Sequence, residues 1–127
     1  MNIIEVIKKI DQYEISFEDF ALLSEGDDLA NFINSFSMTV AQQFMADNID
    51  FDVADGAINY VWDFMINDVF GTQEGNSVPS PAYDIYDAFD MGEYHHSGDP
   101  KNVCPVEKYT KPYLDEILRE YSHIKTN

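Results

Sequence analysis

The chain has 127 residues, enough for one domain with one core and too few for two ordinary ones. At 45% hydrophobic and 14% aromatic residues it is too apolar for a disordered acidic tail, yet its net charge is −17. A folded surface of that sign repels nucleic acid and anionic membrane and attracts basic proteins, which argues against direct nucleic-acid binding.

Residues 2–12 put Ile3, Val6, Ile7 and Ile10 on one side of a short amphipathic helix. This start lacks the continuous apolar core and the cleavage site of a signal peptide. Ser16 is a good N-cap for a second helix, with Asp19 at the capping-box position, and Gly26 is placed to end it. Its apolar positions are Phe17, Phe20, Ala21 and Leu23. Asp27 or Asp28 then caps a third helix of roughly twenty residues. Leu29, Phe32, Ile33, Phe36, Val40 and Phe44 hold its 3.6-residue period.

After a short connection comes the stretch FDVADGAINYVWDFMINDVF, residues 51–70. Ala54, Ala57, Ile58, Val61, Trp62, Met65 and Val69 form a broad apolar face, and Trp62 is expected in the core. Asp52, Asp55, Asn59, Asp63 and Asn67 fall on the other side. Asp50 or Asp52 caps this helix and Gly71 stops it; Gly56 costs it about 1 kcal/mol relative to alanine. Two antiparallel helices, the third and fourth, are expected to form a hairpin.

Residues 71–80 read as a loop. Ser80 and Pro81 read as N-cap and first residue of a shorter helix with Ala82, Ile85, Tyr86 and Phe89 inward and Gly92 just past its end. A second loop covers 95–105. Thr110 with Pro112 opens a last helix whose stripe is Leu114, Ile117, Leu118 and Tyr121. No stretch holds a period-2 alternation, and there is no internal repeat. The expected fold is all-α: a single acidic domain over 1–127, a compact bundle of about six helices around a central helix near 51–70. No run approaches the ~18 apolar residues of a membrane span, and Cys104 is alone, so the expected setting is cytoplasmic without a membrane role.

The charges are segregated. Between Ile10 and Pro100 there is no Lys or Arg, while that span carries 19 of the 24 acidic residues. A surface built for stability alone mixes signs, because i,i+4 ion pairs help it and self-repulsion does not.

Motifs for catalysis or metal binding are poor. Asp50, Asp52, Asp55 and Gly56 miss the calcium-loop spacing: a loop starting at Asp50 has Ala54 at its fifth position and Val61 in place of the terminal Glu. Glu93, His95, His96 and Asp99 lack the spaced pairs of a zinc site. Cys104 has acidic flanks that do not favour a thiolate. No phosphate loop, nucleophile elbow or dinucleotide fingerprint occurs. The residues therefore suggest a non-enzyme without cofactor or metal.

The remaining signal is acid interleaved with aromatics in YDIYDAFDMGEY, residues 83–94. Asp84, Asp87, Asp90 and Glu93 recur at steps of three, which on a helix drift by about 60° each and sweep an arc. Tyr83, Tyr86 and Tyr94 among them supply rigid contact area, and the carboxylates meet Lys and Arg. These seven residues form the expected partner-binding surface, with Asp52, Asp55 and Asp63 as secondary candidates. The alternative is a solvated face over core aromatics.

Two stretches, VADGAINYVWDFM and YDIYDAFDMGEYHHSGDP, resemble segments of helical immunity proteins from bacterial contact-dependent growth inhibition systems. The resemblance implies a cytoplasmic inhibitor, monomeric and forming a 1:1 complex, that binds the C-terminal nuclease domain of a cognate toxin and covers its cationic active-site or substrate-binding surface. Two other readings share part of the pattern. One is a phage-type nucleic-acid mimic that blocks another nucleic-acid-binding protein. The other is a small metal-dependent enzyme using carboxylates with His95 or His96.

Overall fold

A computed structural model of the chain describes residues 3–12, 14–24, 28–66 and 79–123. Six α-helices form among them: α1 (Ile3–Asp11), α2 (Phe17–Leu22), α3 (Leu29–Met45), α4 (Phe51–Phe64), α5 (Ala82–Asp90) and α6 (Lys111–Glu120). A π turn, Val106–Thr110, leads into α6, and no strand forms among the described residues. The fold is an all-α bundle. Helix α4 packs on α1, α3 and α5, and α3 packs on α1, α4, α5 and α6, so these two share the middle.

Local sequence explains three of the six helix starts. Ser16 Oγ accepts the Asp19 backbone N–H at 3.1 Å, Asp28 Oδ1 accepts from Ala30 at 2.8 Å, and Asp50 Oδ1 accepts from Val53 at 2.9 Å. Each supplies an acceptor to an N-terminal amide that the helix itself leaves unsatisfied. Helix α5 starts differently from its expected cap. Pro81 rather than Ser80 is the capping residue, the Ser80–Pro81 bond is cis, and no local side chain caps the helix. Asn34 of α3 does so from across the core, its Oδ1 accepting the Ala82 N–H at 3.0 Å.

Thr110 also departs from its expected role. Its hydroxyl is turned away from α6 and donates to the Ala88 carbonyl at 2.7 Å, in a fully buried position. One hydrogen bond thus covers a carbonyl at the end of α5 and ties that helix to α6. Gly92 lies against this bond. A Cβ there would collide with Thr110 Oγ1 and sit 3.0 Å from the Phe51 ring, so the position needs a residue without a side chain for close approach.

The core is a run of aromatic and branched side chains. Phe20 sits edge-on to Phe36 and Phe64 at 5.2 and 5.1 Å between ring centres. A second group, Phe44, Phe51 and Phe89, fills the other end of the bundle. Such offset and edge contacts add about 0.5–1.5 kcal/mol each beyond area burial. Gly26, Asn67, Val69 and Gly71, with most of the 71–80 loop, lie outside the described residues. No helix among the described residues is long and apolar enough to cross a membrane.

Candidate functional site

Helix α4 buries Ala54, Ala57, Ile58, Val61 and Phe64, with Met65 at its end. That leaves Asp52, Asp55, Gly56, Asn59 and Asp63 outward, as the periodicity requires. Trp62 packs against the core from the border of the apolar face, partly buried, and the fully buried aromatic of this helix is Phe64, which the periodicity had left off that face. The Trp62 ring lies parallel to that of Tyr86 on α5, 4.1 Å between centres and 10° between planes. Tyr83 is 5.9 Å away and 45% exposed. A large indole rarely disappears entirely into a core, and here it makes an aromatic bridge between two helices at the surface.

The arc of carboxylates on α5 splits between two neighbours. Asp84 and Asp87 turn toward α6. There the Tyr113 phenol is pushed up to about 12 by burial and then by those two carboxylates. Asp84 itself is raised by burial and by Asp87. Asp90 and Glu93 turn toward α4. Glu93 Oε2 accepts from Asn59 Nδ2 at 2.9 Å, and Asp90 is raised by burial, then by Glu93 and Asp87.

Asp55 lies at the centre of this second group. Its carboxyl is pushed up to about 8, first by burial, then by a side-chain hydrogen bond to Glu93, then by the charges of Glu93, Asp90 and Asp52. Its Oδ1 is buried without a hydrogen-bond partner. Two carboxyls in contact away from bulk water are held together most cheaply by a shared proton. Burial and the neighbouring carboxyls therefore favour the protonated form of Asp55, whose contact with Glu93 joins α4 to the turn after α5. The Tyr86 phenol reports the same neighbourhood: it is raised by burial and then by Asp90, Glu93, Asp63 and Asp55.

Of the ten residues picked out from sequence, the structure brings six into one face: Asp52, Asp55, Asp63, Tyr86, Asp90 and Glu93, around the Trp62–Tyr86 stack. Tyr83 borders it through Trp62, whereas Asp84 and Asp87 belong to the α6 side. Tyr94, 51% exposed, belongs to a third group. It stacks on His96 at 4.5 Å, and His96 stacks on Tyr109 at 4.0 Å. Trp62 and Asn59 are the members of the face that the sequence reading left out. For Asn59 the signal was available, since it lies one helical turn from both Asp55 and Asp63.

The histidines have local duties. His95 Nε2 donates to the Pro100 carbonyl at 3.0 Å and His96 Nε2 to the Met91 carbonyl at 2.8 Å. Asp99 accepts from Lys108 Nζ and from the Tyr109 hydroxyl, both at 2.6 Å, and these bonds hold its carboxyl below the usual range. Among the described residues no group of three or more His, Cys, Asp and Glu is arranged to hold a metal ion.

The ion pairs formed among the described residues, Lys108–Asp99, Lys111–Glu107 and Arg119–Asp115, all lie between Asp99 and Arg119. None reaches the α4–α5 face. That face offers acceptors for a guanidinium or ammonium group beside aromatic rings that also attract cations. Comparison with protein-family models, with curated proteins and with solved structures finds no match to this chain.

Proposed function

We propose that this chain is a non-catalytic binding module that neutralises a basic protein by covering its cationic surface. The role is that of the immunity proteins its sequence resembles, with a toxin's nuclease domain as the partner in a 1:1 complex. One observation carries this reading: carboxylates from two helices converge around a partly buried Trp–Tyr stack, on a face that none of the ion pairs among the described residues reaches. Stability alone gives no reason for such convergence, since burial, the bond to Glu93 and the neighbouring carboxylates all push the Asp55 carboxyl up.

A nuclease must present Lys and Arg to phosphate. Carboxylates laid over those groups exclude substrate, and the long-range field speeds capture of the toxin before it reaches nucleic acid. The Trp62–Tyr86 stack has the residue types that dominate binding energy at interface centres.

The test is recovery of the partner from the native host by cross-linking to the full chain, followed by assay of that partner alone. The reading expects a basic protein with nuclease activity that stops when the chain is added at one equivalent. A partner that cleaves nucleic acid at an unchanged rate in saturating chain would refute it. A partner that binds nucleic acid without cleaving it would favour the mimic of nucleic acid instead.

A further inference from the structure

Between α4 and the end of α1 lies a cleft of about 530 Å³. The α4 stripe Asp52, Gly56, Asn59 and Asp63, at spacings of four, three and four, forms its floor. Ile10 and Asp11 at the end of α1, with Ile15 in the connection to α2, form the facing wall, and Tyr60 closes the base. The lining thus combines the more buried apolar surface of Ile10, Ile15 and Tyr60 with three exposed carboxylates, Asp11, Asp52 and Asp63. Lys8 and Lys9 of α1 do not line it.

Gly56 is the observation that the fold does not explain. It lies in the interior of α4, where glycine weakens a helix. A Cβ added there meets nothing within 4 Å, and its φ is not in the left-handed region. Neither close packing nor backbone conformation requires glycine at this position. Its effect is to leave the cleft floor bare at the middle.

We infer that this cleft seats an arginine side chain of the protein partner, the methylenes lying along Ile10, Ile15 and Tyr60 and the guanidinium reaching Asp11 and Asp52. The inference rests on the proposed binding of a basic protein and locates one of its anchors. Arginine fits better than a small cation because half of the lining is apolar, and a long charged side chain buries its stem while keeping its head among acceptors. The cleft shares Asp52 and Asp63 with the α4–α5 face, so one partner spans both.

The test uses the ¹⁵N-labelled full chain and, as probe, a capped nonapeptide of alternating arginine and glycine at low salt. Expected are amide shifts at Ile10, Ile15, Gly56 and Asn59, with binding weakened tenfold or more by Gly56→Leu and retained in Gly56→Ala. Circular dichroism of both variants confirms that the helices persist. Shifts confined to the Asp84, Asp87 and Tyr113 side would overturn the cleft, as would Gly56→Leu binding within twofold of the parent or absence of peptide binding. If the recovered partner is inhibited equally well by Gly56→Leu, the cleft assignment falls and the proposed function stands. If the peptide fills the cleft but the recovered partner is not inhibited, the reverse holds.

Discussion

Replacing Asp55 by asparagine is the sharpest probe of the acidic face. In the fold the Asp55 carboxyl is pushed from 3.8 to about 8 by burial, by its bond to Glu93 and by the charges of Glu93, Asp90 and Asp52. In the unfolded chain it titrates near its ordinary value. Between those two values the folded state binds a proton that the unfolded state does not, so stability falls as pH rises, by at most about 1.4 kcal/mol per pH unit. The side chain is only partly buried, and solvent screening reduces the total across the window to on the order of 2 kcal/mol. In Asp55→Asn an amide N–H takes the place of the acid proton and donates to Glu93 at every pH. The variant should match the parent below pH 4 and become more stable with rising pH, by about 2 kcal/mol at pH 8.5. For a domain of this size that is a melting-temperature gap of about 5–10 °C. Urea unfolding followed by circular dichroism at pH 4, 5.5, 7 and 8.5 reads it directly. Parallel pH profiles for the two proteins, or a less stable variant at pH 8.5, would refute the shared proton.

Trp62→Ala should cost about 1–2 kcal/mol, less than truncation of a fully buried aromatic, because the ring is half-buried and its main contact is the Tyr86 stack; thermal unfolding measures this, and a loss above 4 kcal/mol would place the ring in the core. Thr110→Val keeps the shape but leaves the buried Ala88 carbonyl without its donor, and chemical denaturation should show a loss of about 1–3 kcal/mol. Raising salt from 20 to 300 mM at pH 7.5 should raise the melting temperature, because it screens the like charges around Asp55 more than it weakens the three exposed or partly exposed ion pairs. A lower melting temperature in salt would mean that those pairs outweigh the repulsion.

Much of the fold was legible because it is written locally. Apolar residues at 3.6 spacing marked α1, α3 and α4, and Ser16, Asp28 and Asp50 marked where helices begin. What escaped was set by partners distant in sequence. The α5 N-terminus takes its acceptor from Asn34, 48 residues away. Thr110 turned from a helix cap into a bond to Ala88 because the end of α5 lies beside it. Periodicity names the face of a helix and not the edge of its burial, so the fully buried Phe64 was left off that face while the partly buried Trp62 was placed on it. The candidate site was half legible for the same reason. The carboxylates were visible as residue types, but the union of α4 with the end of α5 depends on contacts such as Asn59–Glu93, across 34 residues. The split of Asp84 and Asp87 toward Tyr113 follows from where α6 packs, which the α5 sequence does not encode.

The most direct measurement is the affinity of the recovered basic partner for three charge-neutralised forms of the full chain. One carries Asp63→Asn, Asp90→Asn and Glu93→Gln on the α4–α5 face. The second carries Asp84→Asn and Asp87→Asn on the α6 side, and the third Glu116→Gln and Glu120→Gln on α6. If the α4–α5 face is the binding surface, the first form loses tenfold or more in affinity and flattens the salt dependence, while the other two stay within about threefold. Equal losses in all three would contradict a privileged face and leave only a diffuse negative field.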